Sequence, residues 1–223
     1  MKTDASGPGA APILRTPLIL LAMADLAALA MRLRPWQEIT SLPNGGTSAY
    51  DPAICLLAYI LLMFLMAGTR KSARRRALGS GTILGLLTGA ALVAEVVLVR
   101  PPATQTGYAG IGLLCAAGIL CGVAGLRGAR AGGVALGLVA GIWSAMVGGL
   151  MACAAVLAEI DLTNAGPISL DPWKQYEGLA VGNQAVQSLV HSLNAATAFL
   201  LIGPLIGGAL GLIFAVMAQP QEN

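Results

Sequence analysis

Six apolar segments dominate this chain, near residues 13–31, 52–69, 78–99, 106–126, 131–158 and 194–217, each bounded by charges, prolines or polar turns. In lipid a backbone must satisfy its own hydrogen bonds, and a helix of about 20 apolar residues does so over the ~30 Å of a bilayer core. The segments therefore predict an all-α, polytopic integral membrane bundle of six transmembrane helices. Hydrophobic residues make up 57% of the 223 and charged ones 10%. A soluble domain carries about 25% charge to cover its surface, so lipid is the solvent this chain is built for. The lengths leave no room for a separate soluble domain, and 13–217 reads as one transmembrane domain. Residues 1–12, MKTDASGPGAAP, read as a disordered leader and 218–223 as a solvated tail.

Cation placement predicts orientation. With the run RKSARRR (70–76) in the cytoplasm, that side holds nine cations: Lys2, Arg15, Arg70, Lys71, Arg74, Arg75, Arg76, Arg127 and Arg130. Four fall outside: Arg32, Arg34, Arg100 and Lys174. This asymmetry obeys the positive-inside rule and puts both termini in the cytoplasm. The first segment also has features of a cleaved leader, with PLILLAMA followed by ALA at 28–30. Its positive flank is thin and Asp25 interrupts the apolar stretch, so a retained first helix is expected.

Two outer loops place Asp before Pro, in YDPAI (50–54) and LDPWK (170–174), which suits a helix N-cap followed by its first residue. After Asp171, Val186, Leu189, Val190 and Leu193 recur at helical spacing. Residues 171–192 thus read as an amphipathic helix that lies on the outer face or leads into the last span. Trp36, Trp173 and Tyr176 suit the headgroup level.

Glycines recur at four-residue spacing: Gly81, Gly85 and Gly89 in the third segment, Gly118 and Gly122 in the fourth, Gly133, Gly137 and Gly141 in the fifth, and Gly203, Gly207 and Gly211 in the sixth. Such a row drifts about 40° per step and stays on one helix face. It predicts glycine-zipper packing, in which small residues let helix backbones approach where no hydrophobic effect drives them together. GTILGLLTG (81–89) also aligns with GVALGLVAG (133–141), as a duplicated hairpin would. Pro204, directly after Gly203, is expected to kink the last helix or free a carbonyl.

Two carboxylates lie well inside the segments, Asp25 and Glu95, about 5 and 8 Å beyond the midplane. Insertion costs about 2.5–3.5 kcal/mol for Asp at a helix centre, and such residues face the bundle interior. The candidate polar site comprises Asp25 and Glu95 with Thr88, Arg100 and His191 as partners. The plain structural alternative is a carboxyl group bonded to a nearby backbone carbonyl or hydroxyl. Glu159, Asp161, Asp171 and Glu177 make the longest outer loop acidic.

Catalytic motifs are absent, including G-x-S-x-G, H-E-x-x-H and the phosphate-binding glycine loops. Four cysteines without C-x-x-C spacing and a single histidine argue against a metal site. No cofactor, metal or nucleic acid is expected. Two functions stay open. The first is a non-catalytic membrane component, an accessory or scaffold subunit whose glycine seams bind other membrane subunits or a second copy. The second is a small secondary transporter or ion or proton permeation protein that uses Asp25 and Glu95, with His191 near the entry. The first is preferred, because two isolated carboxylates are thin support for a coupling site.

Overall fold

The computed structural model describes residues 11–33, 45–67, 72–98, 107–163 and 181–219. They form six helices: α1 (Ala11–Arg32), α2 (Gly45–Ala67), α3 (Ser72–Leu98), α4 (Gly107–Gly132), α5 (Val134–Thr163) and α6 (Val181–Met217). Four contain stretches long and apolar enough to cross a membrane: Ser72–Val97, Gly110–Gly132, Val134–Ala158 and Leu189–Met217. A shorter apolar stretch, Tyr50–Leu65, lies in α2. Residues 1–10 of the expected leader (1–12), 220–223 of the expected tail (218–223) and the LDPWK loop lie outside the described residues, as do Trp36, Arg100, Trp173 and Tyr176. Ala11 and Pro12, expected in the disordered leader, instead open α1.

The helices overrun the apolar segments because hydrogen-bond ladders do not stop where hydropathy does. α3 takes in Ser72–Arg76 before its apolar run, and α4 continues through Arg127 and Arg130. α6 begins at Val181, so residues 181–192 are the opening turns of the last long helix. Asp51–Pro52 does not start a helix, contrary to expectation. α2 begins at Gly45 and runs through the buried Pro52. Pro52 is the eighth residue of α2, so its missing N–H leaves the carbonyl four residues before it without its usual donor, yet the helix continues through it.

Position 133 is a second departure. Gly133 has φ 95°, a left-handed conformation that glycine adopts without a Cβ penalty, and it is the single residue between α4 and α5. Its N–H donates to the Ala129 carbonyl at 2.7 Å, closing α4. Its own carbonyl accepts from Leu136 and Gly137 at 3.0 and 3.2 Å, opening α5. Gly133 thus makes the turn and takes no part in the register with Gly137 and Gly141.

α5 occupies the centre and packs against α1, α3, α4 and α6. Ala140, Met146, Val147, Leu150, Ala152 and Cys153 along it are sealed from the surface. α3 runs parallel to α5: Gly81 lies opposite Ala140 and Trp143, Gly85 opposite Ser144 and Val147, and Gly89 opposite Met151. α6 runs antiparallel, with Gly137 facing Ala215, Gly141 facing Gly207 and Gly211, and Gly149 facing Phe199. A Cβ at Gly85 would stand 2.7 Å from the Ser144 carbonyl oxygen, and one at Gly141 would collide with the Gly207 carbonyl. Gly118 and Gly122 of α4 meet Leu210 and Phe214 of α6, while Gly203 meets only Ala145, at ordinary contact distance. The two halves suggested by sequence alignment are not packed alike: Gly85 faces α5, whereas its counterpart Gly137 faces Ala215 of α6 and Gly125 of α4.

Large apolar side chains turn outward on the remaining faces, among them Leu57, Leu61, Phe64 and Leu65 of α2, Ile111 and Ile119 of α4, and Leu201, Leu205 and Ile206 of α6. Water would penalise so much contiguous apolar surface, and bilayer contact accounts for it. The chain is a multi-pass membrane protein.

Candidate functional site

Asp25 sits on a buried stripe of α1, formed by Leu18, Ala22, Asp25 and Leu29 at i, i+4, i+7 and i+11. That helical spacing turns the carboxyl group inward, where the residue is 3% exposed. Its Oδ2 has no hydrogen-bond partner. Asp25 and Cys55 lie within electrostatic reach of the fully buried Cys153 of α5. Cys55 and Tyr59, both on α2, complete this corner of the bundle.

The Tyr59 hydroxyl donates to the Leu200 carbonyl of α6 at 2.5 Å. The reason lies four residues on. In an α-helix that carbonyl would accept from residue 204, which is Pro204 and has no N–H. The proline frees an acceptor inside the bundle, and the tyrosine of another helix takes it. Gly149 opens the way, since a Cβ there would stand 3.6 Å from the hydroxyl and 3.0 Å from the Phe199 carbonyl oxygen.

A second polar group joins α3, α4 and α5. The Trp143 indole N–H donates to Thr82 Oγ1 at 2.9 Å, and Thr82 donates in turn to the Leu78 carbonyl of its own helix at 2.9 Å. Thr88 donates to Leu84 at 2.9 Å and stands 3.9 Å from Cys121 Sγ, which donates to Ser144 Oγ over 3.9 Å. Thr82, Thr88, Cys121 and Ser144 are all buried.

The residues expected to form one polar site are dispersed. Asp25 lies among α1, α2 and α5, and Thr88 is engaged by its own helix and by Cys121. Glu95 is half-buried on α3, and His191 is exposed on α6. Among the described residues neither Glu95 nor His191 has a hydrogen bond or ion pair. Arg100 lies outside the described residues. No group of three or more His, Cys, Asp or Glu side chains that could hold a metal ion occurs among the described residues.

Sequence reasoning passed over Tyr59, Trp143, Cys121 and Ser144. For Tyr59 a signal existed. A proline deep in an apolar helix creates an acceptor at i−4, and a hydroxyl within another apolar helix is a donor in need of one. The Trp143–Thr82 pair carries no such local sign, because its members are far apart in the chain and become neighbours only when α3 and α5 pack. No protein-family model, curated protein or solved structure matches this chain.

Proposed function

We propose that this protein is a non-catalytic membrane component, an accessory or scaffold subunit with six spans and both termini in the cytoplasm. The observation that carries the reading is how its interior polar groups are spent. Tyr59, Thr82, Trp143 and Thr88 each bond to a backbone carbonyl or to a side chain on a neighbouring helix, which is what a bundle needs to hold its shape in lipid. The glycine rows support a narrower version of the scaffold idea than sequence suggested. Gly85, Gly141, Gly207 and Gly211 pack against helices of the same chain, which leaves the outward apolar faces of α2, α4 and α6 for partner helices. The six-span topology draws on the alternating directions of α3 to α6 and on the cation asymmetry.

One observation favours transport as a second reading: Asp25 is a buried carboxyl group whose Oδ2 lacks a partner. Intramembrane carboxyl groups of that kind are candidates for ion or proton sites. The decisive experiment is purification of the tagged chain from its native membranes in mild detergent, with mass measurement of the assembly. A stoichiometric partner is the expected result. A lone chain that supports ion flux in vesicles, with flux lost in Asp25→Asn and kept in Glu95→Gln, would replace the subunit reading by transport.

A further inference from the structure

The end of the bundle where α3 begins and α4 turns into α5 is cationic, and none of its arginines pairs with an acid among the described residues. Arg74, Arg75 and Arg76 stand in the first turns of α3, and Arg127 and Arg130 in the last turns of α4. The α4–α5 turn brings the two sets together: a Cβ at Gly132 would stand 3.4 Å from Ala73 Cβ. Among the described residues none of these arginines makes a hydrogen bond or ion pair. Four are exposed, while Arg74 is half-buried with its Nε sealed from solvent and unpartnered.

Three features of this end call for an anion. First, the opening turn of α3 carries no acid, so three guanidinium groups sit at the positive end of that helix dipole. Second, the acidic residues of the described helices lie elsewhere. Glu159 and Asp161 end α5 at its far terminus, Glu95 lies in the last turn of α3, and Asp25 and Asp51 belong to α1 and α2. Third, the apolar run of α3 starts at Ala77, immediately after Arg76. The arginines therefore stand at the rim of the apolar slab, at the depth where lipid phosphates lie.

We propose that this end of the bundle binds an anionic phospholipid, its phosphate held between the first turn of α3 and the α4–α5 turn. Arg74, half-buried, supplies the innermost guanidinium group. Arg127 and Arg130 flank the headgroup, and the planar guanidinium suits the phosphate oxygens better than an ammonium would. The proposal rests on the membrane reading of the chain. Failure of that reading would show separately, as a protein that does not insert into bilayers at all.

The test uses the full chain reconstituted into phosphatidylcholine vesicles that contain spin-labelled phosphatidylglycerol or spin-labelled phosphatidylcholine. The measured quantity is the association constant of each probe relative to bulk lipid. Phosphatidylglycerol should be preferred by about fivefold for each arginine engaged, the factor that corresponds to ~1 kcal/mol per basic residue at an anionic surface. Arg127→Gln with Arg130→Gln, both exposed and harmless to packing, should lower the preference about 25-fold, and adding Arg74→Gln should lower it further. Equal association of the two probes by the unmodified protein would overturn the proposal, whatever the variants do. So would a preference that survives the triple replacement. Full displacement of the labelled lipid by millimolar glycerol phosphate would also overturn it, because the site would then recognise a soluble anion.

Discussion

Replacing Tyr59 by Phe removes one oxygen atom and leaves the Leu200 carbonyl without the donor that stands 2.5 Å away. The carbonyl cannot recover a partner from its own helix, because residue 204 is proline. An unsatisfied buried acceptor costs about 1–3 kcal/mol in water-soluble proteins. Interhelical hydrogen bonds in membranes average about 0.6 kcal/mol and reach about 1.7. Tyr59→Phe should therefore destabilise the bundle by about 1–2 kcal/mol, near the top of the membrane range. In Pro204→Ala the new N–H can donate to Leu200, and the same Tyr59→Phe change should then cost less than ~0.5 kcal/mol. A double-mutant cycle isolates this difference as a coupling of about 1 kcal/mol between two residues on different helices. Reversible unfolding in mixed micelles, with denaturing detergent titrated against a mild one, reads all four stabilities. Equal costs of Tyr59→Phe in the two backgrounds would refute the idea that the tyrosine serves the carbonyl freed by the proline.

The glycines divide into crowded and open positions, and alanine scanning should follow that division. Gly85→Ala and Gly141→Ala push a methyl group into the backbone of a neighbouring helix and should each cost about 1–3 kcal/mol in the same assay. Gly79→Ala meets nothing within 4 Å and should be neutral or stabilise by up to about 1 kcal/mol, because alanine is the better helix former. Thr82→Val keeps the side-chain shape but strands the Trp143 N–H, for a loss of about 1–2 kcal/mol. With Trp36 and Trp173 replaced by Phe, Trp143 emission should shift to the blue in that variant and stay unchanged in Thr82→Ser.

Much of the architecture was legible because in lipid one constraint outweighs the rest. Unbroken apolar stretches have to be helices, so the helical class and the long helices follow from hydropathy. The ends did not follow as well. Hydropathy marks where lipid stops, while the ladder in α3 and α4 continues through Arg74 and Arg130 into the interface. Pro52 and Gly133 reversed their expected parts for local reasons. A proline in the third turn of α2 gives up one ladder bond without ending the helix, and one left-handed residue is enough to reverse the chain. Asp25 was legible as an inward group, since its stripe with Leu18, Ala22 and Leu29 is a property of one helix. Partnerships were not, because a carboxyl group, a threonine and a histidine at matching depth can belong to different helix pairs. Depth is written in the sequence, whereas the helix neighbours are set by packing.

The central position of α5 has a basis in its composition. A helix that touches four others in lipid needs small residues on every side, and α5 supplies Gly137 and Gly141 toward α6, Gly148 toward α3, and Gly149 toward α6 and Tyr59. Gly148 offers the sharpest test, since the atom closest to its missing Cβ is Thr88 Cγ2 at 2.7 Å, with the Gly89 backbone N behind it at 3.2 Å. Gly148→Ala should therefore destabilise the bundle by about 1–3 kcal/mol through overpacking. Thr88→Ser deletes that methyl group and keeps the hydroxyl that bonds Leu84 and approaches Cys121. The serine alone should cost under ~1 kcal/mol, and in combination it should return about half of what Gly148→Ala removes. Gly112→Ala, at a position with open space around it, controls for the general effect of adding a methyl group. If Thr88→Ser and Gly148→Ala lose stability additively, the α3–α5 contact is not made at Thr88, and the parallel register assigned to these two helices is wrong.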